Sequence, residues 1–96
     1  MDIRYPAIIE AQESSGYFVS FVDLEDTFTE GATKEEALCN ASEVLSAMLS
    51  WRLDNEMPLP EPTQNLDAVY ISPDARTQAA LLVRLARGHR LVLTFD

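Results

Sequence analysis

Residues 16–24 read Gly16-Tyr17-Phe18-Val19-Ser20-Phe21-Val22-Asp23-Leu24, and this stretch sets the fold class. Over 17–22, Tyr17, Val19 and Phe21 alternate with Phe18, Ser20 and Val22, the period of two that a strand requires. Ahead of it, Glu13-Ser14-Ser15-Gly16 is a polar turn with glycine as its permissive residue. Upstream, residues 3–10 alternate in the same way, with Tyr5, Ala7 and Ile9 on one face. Pro6 has no N–H to donate, which predicts an edge strand or a bulge at that point. The turn is short enough for the two strands to pair as a hairpin. Downstream, residues 23–26 form an acidic turn. Thr27-Phe28-Thr29 then reads as a short third strand, closed by Glu30-Gly31.

The next signal is helical. Thr33-Lys34-Glu35-Glu36 is a capping box, in which the Thr33 hydroxyl accepts from the Glu36 N–H and Glu36 returns the bond. The two glutamates also suit the positive end of the helix dipole. Ala37, Ala41, Val44, Leu45, Met48 and Leu49 form an apolar stripe at helical spacing, which predicts a helix over 34–55. Met57-Pro58-Leu59-Pro60-Glu61-Pro62 ends it and continues as an extended connector. Residues 67–71 read as a strand. Ser72-Pro73 opens a second helix, with serine as N-cap and proline at the first helical position. Ala75, Ala79, Leu82, Val83 and Ala86 make its expected buried stripe, and Gly88 its C-terminal cap. Residues 91–95 alternate as a short terminal strand. The fold class is therefore α+β: an antiparallel three-stranded meander, then helix, strand, helix and a terminal strand.

Composition narrows the function. The chain has 96 residues and a net charge of −9. Residues 1–67 hold 14 acidic residues against Arg4, Lys34 and Arg52, a balance of −11; residues 68–96 hold Asp74 and Asp96 against four arginines, a balance of +2. An acidic body does not attract phosphate backbones, whose counterion release needs clustered Lys and Arg. It does steer basic partners. A domain of this size buries only about 60–65% of its unfolded surface, so its core is thin, and self-association is a reasonable expectation. The single cysteine, Cys39, forms no internal disulfide, which fits a reducing compartment. No apolar run approaches the ~20 residues that span a bilayer, and no signal peptide is visible at Met1-Asp2. The reading is a cytoplasmic protein without cofactor.

A search for chemistry is mostly negative. Cys39 and His89 are the only cysteine and histidine and fall in different elements, so no structural zinc pattern exists. They are also the one conceivable nucleophile–base pair. The plainer reading makes Cys39 a small buried or half-buried thiol and His89 a solvated turn residue. A carboxylate-only magnesium site would have to use Asp23, Glu25, Asp26 and Glu30, which crowd one turn region; a solvated acidic loop is the simpler account. The chain has no GxSxG, no phosphate-cradling glycine loop and no HExxH. Arg76, Arg84, Arg87 and Arg90 form the only basic cluster and leave a small nucleic-acid-binding module as the alternative function. A helix-turn-helix would, however, need a further helix after Gly88. Trp51, beside Met48 and Arg52, is either core or an interface anchor, including one for self-association.

Taken in order, Tyr5-Pro6-Ala7, the 16–24 stretch, Thr29-Glu30-Gly31-Ala32-Thr33-Lys34-Glu35-Glu36-Ala37, Asn40-Ala41 and Pro58-Leu59-Pro60-Glu61-Pro62 resemble the HicB family of antitoxins over roughly residues 4–86. The resemblance implies a partial RNase H-like fold, a homo-oligomer (dimer or tetramer) and no catalysis. It also implies a partner, the small basic HicA toxin, an mRNA interferase whose active site the antitoxin occludes. The expected toxin-binding residues are Tyr17, Asp23, Glu25, Asp26 and Glu30, with Trp51 at an oligomer interface. Two features depart from the pattern. Val22 stands where many members have proline before the aspartate, and Glu25-Asp26 replaces their Pro-Gly. Longer members continue into an operator-binding domain. The expectation here is a single domain over 1–96 without a complete C-terminal DNA-binding part.

Overall fold

Three strands fold back on one another before the first helix begins: β1 (Tyr5–Ala11), β2 (Tyr17–Phe21) and β3 (Phe28–Gly31). Helix α1 (Lys34–Asp54), strand β4 (Val69–Ile71) and helix α2 (Ala75–Ala86) follow. The structure is a computed structural model and describes residues 2–65 and 67–88. The strand expected over 91–95, with His89 and Arg90, lies outside the described residues. The sheet order is β3-β2-β1-β4, every neighbouring pair antiparallel. The architecture is α+β, as the alternation and helical stripes required.

Pro6 does not mark an edge. β1 is an interior strand, paired with β2 on one side and β4 on the other. The last β1–β2 partners are Ala7 and Phe21, so Pro6 falls where β2 has already ended. Its carbonyl still accepts from the Val22 N–H at 3.1 Å. A residue without an N–H fits an interior strand at such a position.

One face of the sheet carries the core. Tyr5, Ala7, Val19 and Phe21 alternate inward and meet Ala37, Ala41, Leu45 and Leu49 of α1. Leu24, Leu59, Ile71 and Leu81 complete the cluster. Leu45, Leu49 and Leu81 are wholly buried, and each contributes about 2 kcal/mol by leaving water. Alanine at 37 and 41 lets the first turns of α1 lie close to the strands. The closest approach is at Gly31, where a Cβ would sit 2.4 Å from the Ala37 nitrogen. Gly16 adopts a φ of +82°, and a Cβ there would lie 2.8 Å from the Gly31 carbonyl oxygen. Both glycines are therefore fixed by geometry rather than by turn preference alone.

The helix starts show where local chemistry decides. Thr33 caps α1 as read, accepting from the Glu36 N–H at 3.1 Å. The return bond runs one residue further back, from the Ala32 N–H to Glu36 Oε1 at 3.2 Å. α2 starts later than the Ser72-Pro73 reading placed it. Its N-cap is Asp74, whose carboxylate accepts from the Thr77 N–H at 2.8 Å. Serine and aspartate cap about equally well on their own, so a tertiary bond decides. The Asp74 N–H in turn donates to Ser46 Oγ, which pins the cap to α1.

The buried stripe of α2 also differs from the expected one. Thr77 and Leu81 are buried and Leu82 and Leu85 half-buried, while Ala75, Ala79, Val83 and Ala86 are exposed. Polar anchors rotate the helix. Ser50 and Thr77 share a hydrogen bond of 3.2 Å, and Gln78 bonds both the N–H and the carbonyl of Ile3. Those bonds bring the 77–81–85 line inward. Gly88 ends α2 with a φ of +86°, its N–H donating to the Leu85 carbonyl, as a C-terminal glycine should. Cys39 is exposed rather than buried or half-buried, because it falls midway between Ala37 and Ala41 of the buried line and so on the opposite side of α1. No described helix is long and apolar enough to cross a membrane.

Candidate functional site

The β2–β3 turn is held from beneath. Leu24 is 2% exposed and plugs the end of the core, and Thr27 beside it is equally buried. The Thr27 N–H donates to the Leu24 carbonyl, and the Phe21 N–H to the Thr27 carbonyl. The carboxylate of Asp23 accepts from the Thr63 N–H at 2.9 Å and from the Thr63 hydroxyl. Four anchors thus fix the turn, and Glu25 and Asp26 project from it into solvent.

The connector after α1 provides the other half of this frame. Leu59 is buried in the core, and the Pro60 carbonyl accepts from the Tyr5 hydroxyl at 2.6 Å. Arg52 Nη1 donates to the Pro58 carbonyl. Beyond Thr63, the Tyr70 hydroxyl donates to the Thr63 carbonyl and accepts from the Asn65 N–H. Burial raises the Tyr5 phenol well above its ordinary pKa, and the negative charge of Asp23 adds to the rise. Tyr5 is therefore a neutral donor at any physiological pH, a structural peg and not an acid or base.

Of the five expected toxin-binding residues, the structure brings together three. Asp23, Glu25 and Asp26 share the β2–β3 turn. Tyr17 and Glu30 lie at the opposite end of their strands, about 20 Å away along β2 by strand rise. Tyr17 opposes Gly31 on the helix-facing side and is half-buried. Glu30 is exposed on the other side, where its carboxylate accepts from Gln12 Nε2 at 3.3 Å.

Of the five expected binding residues, only Glu30 lies on that other face of the strands. Alternation and register place Ile8, Glu10, Phe18, Ser20, Phe28 and Glu30 on it. The Phe18 and Phe28 rings lie 5.6 Å apart at 31°. Phe28 is 56% exposed and Val22 38%. The signal was present around β2, where Phe18 and Val22 flank Ser20 and make the second alternating set largely apolar as well. A strand apolar on both faces is one covered on both faces; only one is covered here among the described residues.

The remaining candidates do not converge. Trp51 is 53% exposed on the outer surface of α1 and is not core. Arg76 and Arg87 are exposed on α2, while Arg84 is half-buried. Arg84 and Arg87 line a shallow depression with Leu53, Glu56, Ala80 and Val83, in which the nearby Glu56 offsets positive charge. No three His, Cys, Asp or Glu side chains among the described residues are grouped to hold a metal ion. Asp23 itself is already committed to Thr63.

Comparison with known proteins gives a consistent picture. A family model described as the HicB_like antitoxin of bacterial toxin-antitoxin system matches residues 4–72. The chain is 44% identical over 63 residues to Antitoxin HicB 1 of Photorhabdus laumondii, covering 64% of this chain and 41% of that one. It is 37% identical over 83 residues to Antitoxin HicB of Escherichia coli K12, covering 84% of this chain and 60% of that one. The chain thus spans between about two-fifths and three-fifths of the length of these two curated relatives.

Proposed function

The chain belongs to the HicB-like antitoxin family, and from this premise we propose that it binds and neutralises a small basic HicA-type mRNA interferase by occluding its active site. The observation that carries the reading is the anchored acidic turn. Glu25 and Asp26 project from a turn fixed by Leu24, Thr27 and the Asp23–Thr63 bonds. A rigid carboxylate tip on a body of net charge −9 accelerates encounter with a basic protein and orients it. Binding, and not catalysis, is the chain's contribution, exercised in the cytoplasm by residues 1–96 as a single HicB-like unit. Exposed Trp51 is the natural anchor for self-association in this reading.

The experiment is co-expression with a small basic HicA-type protein, sought first in the reading frame beside this chain's own. Growth arrest by that protein alone, relieved by this chain, with stoichiometric inhibition of RNA cleavage by the purified pair, is the expected result. A neighbour that is harmless alone, or still toxic and still cleaving RNA with this chain in excess, overturns the reading.

A further inference from the structure

We propose that the open face of the sheet, centred on Phe18 and Phe28, is a docking surface for a basic protein, which sets an Arg or Lys side chain on Phe18 between Glu10 and Glu30. The inference rests on the antitoxin reading for its partner and adds to it a surface separate from the acidic turn.

Both helices lie on the far side of the sheet, against the core face. The near side carries an aromatic pair with its rings 5.6 Å apart, one of them 56% exposed. The connector shields one corner: Pro6 is wholly buried although alternation places it on this side, and Tyr70 is tied to Thr63 and Asn65. The Phe18–Phe28 end has no such cover among the described residues. A contiguous exposed apolar patch rimmed by polar groups marks an interaction site.

Charge selects the occupant. Glu10 and Glu30 are the direct cross-strand neighbours of Phe18, one on each side, and both are exposed. Strands β1, β2 and β3 contain no Lys or Arg. A second copy laid on this face would bring carboxylates against carboxylates, which is unfavourable. A guanidinium or ammonium over the Phe18 ring gains from the ring face and from both carboxylates together. Phe28 and Ile8 then supply apolar contact around it.

The test measures binding of a HicA-type basic protein, in a catalytically inactive form, to the full chain by calorimetry and stopped flow. Phe28→Ala removes an exposed ring, and Glu10→Lys with Glu30→Lys reverses the rim. Glu43→Lys with Asp54→Lys, both on the exposed surface of α1, makes the same change in net charge and controls for it. Circular dichroism confirms folding of each variant. Phe28→Ala is expected to weaken binding about tenfold or more. The rim reversal is expected to slow association and weaken its salt dependence well beyond the charge-matched Glu43→Lys/Asp54→Lys control. Wild-type binding with unchanged affinity in both open-face variants overturns this placement and leaves the antitoxin reading standing. Unchanged toxin binding with altered oligomer size assigns the face to a second copy and likewise overturns it. No binding by the wild-type chain overturns the antitoxin reading itself, and this placement with it.

Discussion

Asp23 and Thr63, 40 residues apart, are joined by two hydrogen bonds to one carboxylate, from the Thr63 N–H and its hydroxyl. The pair closes the β2–β3 turn against the connector. Asp23→Ala is expected to lower stability by about 1–2 kcal/mol, the range for bonds to a charged group reduced by exposure. Thr63→Val removes the hydroxyl but keeps the N–H, and should cost less. In a double-mutant cycle by urea unfolding, the coupling between the two changes should reach about 0.5 kcal/mol or more. Additive effects would mean that the pair does not hold the turn.

Gly31 meets the first turn of α1 so closely that a Cβ would lie 2.4 Å from the Ala37 nitrogen and 2.7 Å from its Cα. Both obstacles are backbone, so neither can swing aside. Gly31→Ala is expected to destabilise by about 3 kcal/mol, at the upper end for overpacking. Thermal unfolding by circular dichroism reads this directly. Gly88→Ala serves as a contrast, since nothing lies within 4 Å of a Cβ there and only the φ of +86° opposes it.

Tyr5 donates to the buried Pro60 carbonyl. Tyr5→Phe leaves that acceptor unpaired and should cost about 1–3 kcal/mol. Its alkaline behaviour has a definite sign. Burial holds the folded-state pKa above the ordinary 10.0, so the fold binds the proton more tightly than the unfolded chain does. The resulting stability is full below that ordinary value and is lost as the pH climbs beyond it toward the raised value. Stability curves should fall at alkaline pH in the wild type and flatten in Tyr5→Phe.

The strands and α1 were legible because their periodicities are long and unambiguous: Tyr17-Val19-Phe21 for β2, Ala37-Ala41-Leu45-Leu49 for α1. The α2 start was not, because Ser72-Pro73 and Asp74 both make good starts and tertiary bonds from Ser46 decide between them. Its stripe was misread for a related reason. Gln78 to Ile3 and Thr77 to Ser50 are contacts across 75 and 27 residues, and no local pattern encodes them. At the site, the acidic turn was visible as a charge run. The anchoring by Thr63 was not, nor was the bareness of the Phe18–Phe28 face, which depends on which side the helices choose.

Asp74 gives the opposite pH sign to Tyr5. Its carboxylate accepts from the Thr77 N–H, and this bond, with the Thr77 hydroxyl nearby, holds its pKa below the ordinary 3.8. The stabilising cap is present above the unfolded-chain value and is lost as the pH falls through the folded one. Asparagine also caps but does not titrate there. Asp74→Asn should therefore keep α2 at neutral pH and show a shallower loss of stability in acid, measured by unfolding across pH 2 to 6 (about four pH units around the carboxylate range).

The acidic turn tests the encounter step apart from the fold. Glu25 and Asp26 are exposed and make no hydrogen bond that the turn depends on. Glu25→Lys with Asp26→Lys should then change stability by no more than about 0.5 kcal/mol, as surface substitutions do. Association with the basic partner should slow by roughly tenfold at low salt, since steering scales with local charge. The difference from wild type should shrink as salt rises and the Debye length falls below about 8 Å. Dissociation should change less than association, because rim charges act mainly on the approach. An association rate indifferent to these two reversals would remove the turn from the encounter path. The open face would then be the surface on which recognition begins.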